Sequence, residues 1–452
     1  MPDSQTRWRR PNDFRTTQAG SGTGDEHAAI EQGEFACAPS WHIRFGRFCV
    51  ATVSRRTLCG PVEGTPATGV CRLRKSTEHA NGHASILVTQ KTNGYGPTPG
   101  GFHLSEWRTR RGLTVAGLAM RSGLPERLIE DLEAGRDWVD QRRVLSALAT
   151  SLRVDPAELT GQPYVPGGPD HSTVHALGWH ARQHLARSLS ENDAAEGAGR
   201  ERVAALVDGL QAADDAGDLV SAALKVPGLL ELAGPSHLGD ADREVAALRA
   251  TAHVAVSGLL RRLGYRDLAW SVLARACPPP EARPAVLAEE VRLLLDMGQA
   301  ELAVAQAARA EADVLLPLAI AHATLGHKTE SERLLASARE KAVGLRQRSQ
   351  VASAEAFAAA EWGAYGHVLD RAVGAACLPA GGRSALLVLT ASARARLGQY
   401  EAAVEDLAAA ESLAPLHTRL DPLARELVSV LPSRAQRHTE VLGAMAVRFG
   451  MK

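Results

Sequence analysis

The stretch Leu113–Gly135, LTVAGLAMRSGLPERLIEDLEAG, leaves the chain little local freedom. Apolar residues recur at helical spacing on both sides of Gly123, with Leu118 and Ala119 before it and Ile129 and Leu132 after it. Few residues separate the two runs, so two short helices must turn sharply and pack on each other. Thr114 is placed to cap the first, its hydroxyl accepting from the orphan amides of the opening turn. Ala119 is small where the helices must cross closely, and Gly123 stands where the turn needs a left-handed residue. The flanks continue in helix. Leu104 to Arg111 predicts a first helix and Arg142 to Leu152 a fourth. Asp155-Pro156-Ala157-Glu158-Leu159 predicts a short fifth, with proline in its first turn.

This order, L-A-x3-G-L-x4-I-x3-E-x-G with its flanking helices, resembles the Cro/C1-type (XRE) helix-turn-helix family. The resemblance implies a five-helix, lambda-repressor-like DNA-binding domain whose second motif helix enters the major groove. Carried over, the base-reading positions are Glu126, Arg127 and Asp131. Phosphate contacts fall to Thr114, Arg110, Arg111, Arg136, Arg142 and Arg143. The resemblance also pairs Glu133 with Arg108 as a structural link. The chain departs from the family where Val115, Pro125 and Ala134 replace polar residues that hold phosphates. Its recognition helix is acidic as well, with Arg127 alone against Glu126, Glu130, Asp131 and Glu133. A carboxylate at Glu126 suits the first turn through the helix dipole, and Glu or Asp can accept from cytosine. Every such charge near phosphate also weakens binding.

Beyond residues 101–163 the breakers of 164–170 read as a linker, and 171–452 reads as a helical array. The clearest unit starts at Gly398, with Tyr400, Ala403, Leu407, Ala410 and Pro415 following at fixed offsets. That series resembles half of a tetratricopeptide repeat. Matching glycines stand at Gly264, Gly298, Gly326 and Gly363, and Gly217 marks an earlier hairpin. Twelve residues after the five spaced glycines stand Ala276, Ala310, Ala338, Ala375 and Ala410. We expect five or six hairpins, closed by Leu420 to Leu431 and Thr439 to Phe449. A stack of this kind presents a concave face suited to a peptide or protein segment.

Composition supports an all-α chain, since 45% of residues are apolar but only 4% aromatic, leaving Ala, Leu and Val to build the core. Residues 1–100 differ: Gly, Ser, Thr and Pro interrupt every period, so they read as disordered or as an extension upstream of the true start. Phe45 to Val53 is one short strand-like run there. Cys37, Cys49, Cys59 and Cys71 are spaced too widely for a zinc site. Cys277 and Cys377 read as buried thiols in helices. The net charge of zero hides a mild gradient, from 12 Lys/Arg against 8 Asp/Glu in residues 1–100 to 30 against 34 after residue 165.

Several function classes drop out. No run approaches the roughly 18 apolar residues of a membrane span, and no signal-peptide pattern opens the chain. There is no P-loop, no G-x-G-x-x-G after a strand and no G-x-S-x-G elbow, so no enzyme and no cofactor are expected. His171/His175 and His180/His184 are spaced four apart, but His175 and His180 lie about 140° apart around a helix, so the four do not share a face and no metal site is expected. Trp270 and Trp362 read as core. The sequence therefore predicts a cytoplasmic bacterial transcriptional regulator that binds DNA. Its repeats sense a peptide, protein or small ligand, and it forms a homodimer. The alternative is a protein-interaction scaffold whose helix-turn-helix no longer binds DNA.

Overall fold

The computed structural model describes residues 98–190, 200–232, 243–310 and 314–451. Among them every regular element is helical. The stretch 1–97, with its four cysteines and the Phe45 to Val53 run, lies outside the described residues.

Five helices come first: α1 (Pro99–Arg110), α2 (Val115–Ser122), α3 (Glu126–Glu133), α4 (Arg142–Leu152) and α5 (Pro156–Thr160). Their ends follow from sequence chemistry. The Thr98 and Thr114 hydroxyls each accept from the backbone N–H three residues on, capping α1 and α2. Asp155 and Glu158 close a reciprocal capping box on α5, whose first residue is proline. Gly123 ends α2 at φ 68°, as the tight turn demands. Leu118, Ile129 and Leu132 are buried together with Leu104, Leu148, Leu152 and Leu159 in one small core. The α1–α3 crossing is close enough that a Cβ on Gly101 would run into the Leu132 carbonyl.

Two helices, α6 (Pro169–His175) and α7 (Leu177–Ser190), lead into the array. The first three hairpins pair α8 (Arg200–Ala216) with α9 (Leu219–Leu232), α10 (Arg243–Arg262) with α11 (Arg266–Leu273), and α12 (Arg283–Asp296) with α13 (Ala300–Ala310). The next three pair α14 (Leu315–Thr324) with α15 (Lys328–Lys341), α16 (Gly344–Glu361) with α17 (Tyr365–Ala372), and α18 (Ala380–Arg396) with α19 (Tyr400–Leu413). Short α20 (Pro415–Arg419), then α21 (Pro422–Val430) and α22 (Thr439–Arg448), close the end.

Every hairpin turns on a glycine in the left-handed region, Gly217, Gly264, Gly298, Gly326, Gly363 and Gly398. Of the alanines twelve residues on, Ala338, Ala375 and Ala410 are buried. Ala276 falls past the end of α11, which has only eight residues. The first hairpin closes against the last: a Cβ on Gly217 would lie 2.9 Å from that of Ala414 and 3.0 Å from that of Ala380. Arg346 on α16 also reaches back to Asp215 at the end of α8, 2.7 Å away.

Several sequence expectations change here. Cys277 and Cys377 are exposed, because α11 and α17 end before reaching them. Trp270 is exposed and Trp362 half-buried, so neither is a full core residue. The stretch after α5 is not a free linker. Tyr164 packs against the array core beneath the Arg425 guanidinium, 4.0 Å from its ring, and Gln162 Nε2 donates to the Arg262 carbonyl. The histidine run is split by the break at Ala176 between α6 and α7, and His175 Nδ1 meets the Tyr265 hydroxyl at 2.8 Å. Among the described residues no group of three or more His, Cys, Asp or Glu could hold a metal.

Candidate nucleic-acid interface

The motif presents two sides. On the outer side, α2 and α3 expose Met120, Arg121, Pro125, Glu126, Arg127 and Glu130. The Arg127 side chain is 91% exposed, with only a loose 3.7 Å approach to Asp131 one turn on. Glu126 stands in the first turn of α3 and Pro125 at its N-cap, where no side chain caps the helix. Asp131 is drawn the other way, accepting from Arg136 Nε at 2.7 Å. Of the three residues expected from the resemblance to read bases, Glu126 and Arg127 therefore stand free and Asp131 is tied to the following loop.

Behind α3, Arg108 grips Glu133 bidentately, Nε to Oε1 at 2.6 Å and Nη2 to Oε2 at 2.7 Å. Its Nη1 also donates to the Leu113 carbonyl, so one guanidinium ties α1 to the end of α3 and the start of the turn. The Glu133 hydrogen bond raises the already high pKa of Arg108.

The remaining phosphate candidates divide. Thr114 is the α2 cap, and its hydroxyl oxygen faces the same helix end. Arg110 pairs with Glu106 on the surface and lies over the Trp107 ring. Arg111 donates to the Leu152 and Arg153 carbonyls, closing the end of α4. Arg143 donates to Gln141 across the first turn of α4, with its head in solvent. Arg142 is turned inward instead: it reaches Glu361 at 3.5 Å and Asp296 at 3.9 Å and lies over Phe357.

Arg142 belongs to a seat that holds the domain on the array, which little in the amino-acid pattern announces. Trp138, in the loop after α3, is 2% exposed and packs into the core of the last hairpin and C-terminal helices. Its indole N–H donates to Ser392 Oγ at 2.9 Å, and Arg396 stacks 3.9 Å over its ring. Arg396 also donates to Asp137, to Asp140 and to the Trp138 carbonyl at 2.6–2.8 Å. Arg434 reaches the Arg136 carbonyl from the C-terminal end.

Two array carboxylates cap helices of the domain. Glu361 accepts from the Arg142 amide, 3.0 Å, and from the Arg143 amide, at the start of α4; Glu426 accepts from the Gly100 amide in the first turn of α1, 2.6 Å. Burial pushes both carboxyls up, Glu426 to about 7, against the pull of these donors. The hairpin turns complete the seat. Ser146 Oγ donates to the Gly298 carbonyl, a Cβ on Gly298 would lie 2.8 Å from Ser146 Oγ, and a Cβ on Gly264 would lie 2.5 Å from that of Gln162. Asp155 pairs with Arg266 at the same edge. The only advance signal was a tryptophan set between Asp137 and Asp140 in a chain poor in aromatics.

Residues 101–160 match the helix-turn-helix domain family. Among solved structures, that of Bacillus thuringiensis PlcR in complex with the peptide PapR7 and DNA aligns with 12% identity over 72% of this chain and 99% of that one, at a TM-score of 0.26. No curated protein matches the chain.

Proposed function

We propose that this chain is a sequence-specific DNA-binding transcriptional regulator, that its helical array senses a ligand, and that it acts as a homodimer in the cytoplasm without catalytic activity. The observation that carries the reading is the free outer face of α2 and α3, with Arg127 extended into solvent while the opposite side of the domain is seated on the array. An exposed guanidinium in the first turn of a groove-entering helix can grip guanine through O6 and N7. Among the described residues no helix is long and apolar enough to cross a membrane.

The test is selection of genomic DNA fragments by the purified chain at two salt concentrations. A regulator enriches a defined site, loses it on Arg127→Ala, and binds more weakly as salt rises because phosphate contacts release counterions. Failure to enrich any site at low salt, with cell extract added to supply an effector, removes the reading.

A second reading has its own observation. With Arg142 turned onto Glu361 and four acids on α3, the domain offers phosphates a reduced set of cations, which suits a protein-interaction scaffold. Binding to a protein partner that survives salt while DNA binding stays absent selects this alternative.

A further inference from the structure

A cavity of about 1100 Å³ opens between the helix-turn-helix domain and the array. Leu104, Leu132 and Leu145 line it from α1, α3 and α4, and Leu316, Phe357 and Leu389 from α14, α16 and α18. Pockets that take small organic molecules run from roughly 300 to 1,000 Å³, so the space suffices for one sizeable ligand touching both bodies.

The polar groups of the wall narrow its chemistry. Arg261 pairs with Asp296 at 2.6 Å, Arg262 with Asp214 at 2.9 Å, Arg142 with Glu361, and Arg266 with Asp155. The acids outside those pairs are engaged too, Glu426 by the Gly100 amide and Asp421 by the Ala424 amide. Arg292 is held by Glu289 at 3.3 Å and Asp140 by Arg396, while Lys341 is exposed to solvent. The buried charges of this wall are thus engaged within the protein, and a charged ligand deep in the apolar space would lack a counter-ion. Burial beside Arg262 holds the lining His417 neutral, its pKa down to about 4, so it adds no charge to the wall.

We propose that this cavity binds an uncharged, largely apolar small molecule, and that the bound molecule tightens the seat of the helix-turn-helix domain. The proposal rests on the sensing role above and gives that role a place and a ligand class. A linear peptide is disfavoured, because its charged termini find no free partner in the wall. By adding apolar contact to both bodies at once, an occupant favours the seated arrangement over any in which they part.

Nile red, a neutral apolar dye with a ring carbonyl, is the probe. Titrated into the full chain it should bind saturably at a single site with a blue-shifted emission. The charged dye 1-anilinonaphthalene-8-sulfonate should bind at least about tenfold more weakly, since it brings an uncompensated charge. Ser353→Trp and Ala285→Trp, which fill the space from its rim, should each weaken Nile red by at least about tenfold. On the unaltered chain, bound Nile red should slow amide hydrogen exchange in α1 and α4 together with α14 and α16. Unsaturable uptake, equal affinity for the two dyes, retention by folded Trp variants, or unchanged exchange on either body overturns the proposal. The titration contains no DNA. A chain that takes up the dye yet never binds DNA leaves the cavity assignment standing and removes only the regulator reading.

Discussion

The two sides of the helix-turn-helix domain use the same residue types to opposite ends. On the outer face of α3, Arg127 and Asp131 make a loose pair in water, of a kind that contributes about 0–1 kcal/mol at most. On the seat, Arg396 stacks on a buried indole and serves both Asp137 and Asp140, the latter almost wholly buried. Breaking such a buried, hydrogen-bonded group strands its partner, which costs roughly 3–5 kcal/mol. A charge left in solvent remains free for an outside partner, whereas a charge enclosed with its counter-ion becomes structure. The contrast is tested hardest at Trp138. Trp138→Ala should lower stability by about 3–5 kcal/mol, because it removes a filled core position along with its stacking and N–H partners. A chemical denaturation curve shifted by less than about 1 kcal/mol would mean that the loop holds without its anchor.

The pH response of the seat gives the next largest effect. Glu426 has its carboxyl raised in the folded state from the ordinary 4.5 to about 7, with burial as the main cause. Its folded value exceeds its unfolded one, so between those limits the folded chain holds the proton more tightly. Stability is then greatest below about 4.5, is lost as pH rises toward 7, and levels off above, a span of roughly 3 kcal/mol. Asp421, raised to about 6 by burial, adds a slope of the same sign. Glu426→Gln should keep the acceptor for the Gly100 amide while removing most of the loss between pH 5 and 7. Parallel melting-temperature profiles for the two proteins would show that Glu426 does not titrate in this window.

On the outer face the expected effect moves from stability to binding. Arg127→Ala should leave the melting temperature within about 1 °C, since an exposed side chain with one loose pair supports little. It should cost about 1–3 kcal/mol of discrimination at one base pair. Arg142→Ala should do the reverse, destabilising the fold by leaving Glu361 buried without its guanidinium while hardly changing the salt dependence of DNA binding. If Arg142→Ala flattened the salt dependence as much as an outer-face change, Arg142 would have to leave Glu361 when DNA arrives.

The motif was legible from the sequence because its signals are local. Thr114, Gly123, the Asp155–Glu158 box and the hairpin glycines each fix a backbone turn within a few residues of themselves. The boundaries of α4 match its apolar pattern although its start is capped from afar by Glu361, and α1 opens earlier than its apolar pattern suggests because Thr98 and Pro99 start it. What stayed hidden is long-range. Trp138 meets Ser392 across more than 250 residues, and no periodicity in either segment announces that contact. The fate of Arg142 was likewise invisible, for its partners Glu361 and Asp296 sit at hairpin ends that only the curl of the array brings to it. The same limit applied to Cys277, left beyond the eight-residue α11, and to Trp270, which that helix turns away from its buried side.

The smallest expected effect separates two roles that Thr114 could hold at once. Its hydroxyl caps α2 by accepting from the Gly117 amide at 3.0 Å, so Thr114→Ala should cost about 1 kcal/mol of stability through the lost cap alone. As a phosphate contact the same hydroxyl would donate its own proton, which the cap leaves free because there the oxygen only accepts. Thr114→Ser keeps both functions and should restore stability and DNA binding together. Thr114→Asp keeps the cap, and its charge favours the helix N-terminus, but it offers a phosphate only repulsion. Full stability with weakened, less salt-dependent DNA binding in Thr114→Asp would place the hydroxyl against the backbone of the nucleic acid. Unchanged DNA binding in that variant would leave Thr114 a helix cap and nothing more.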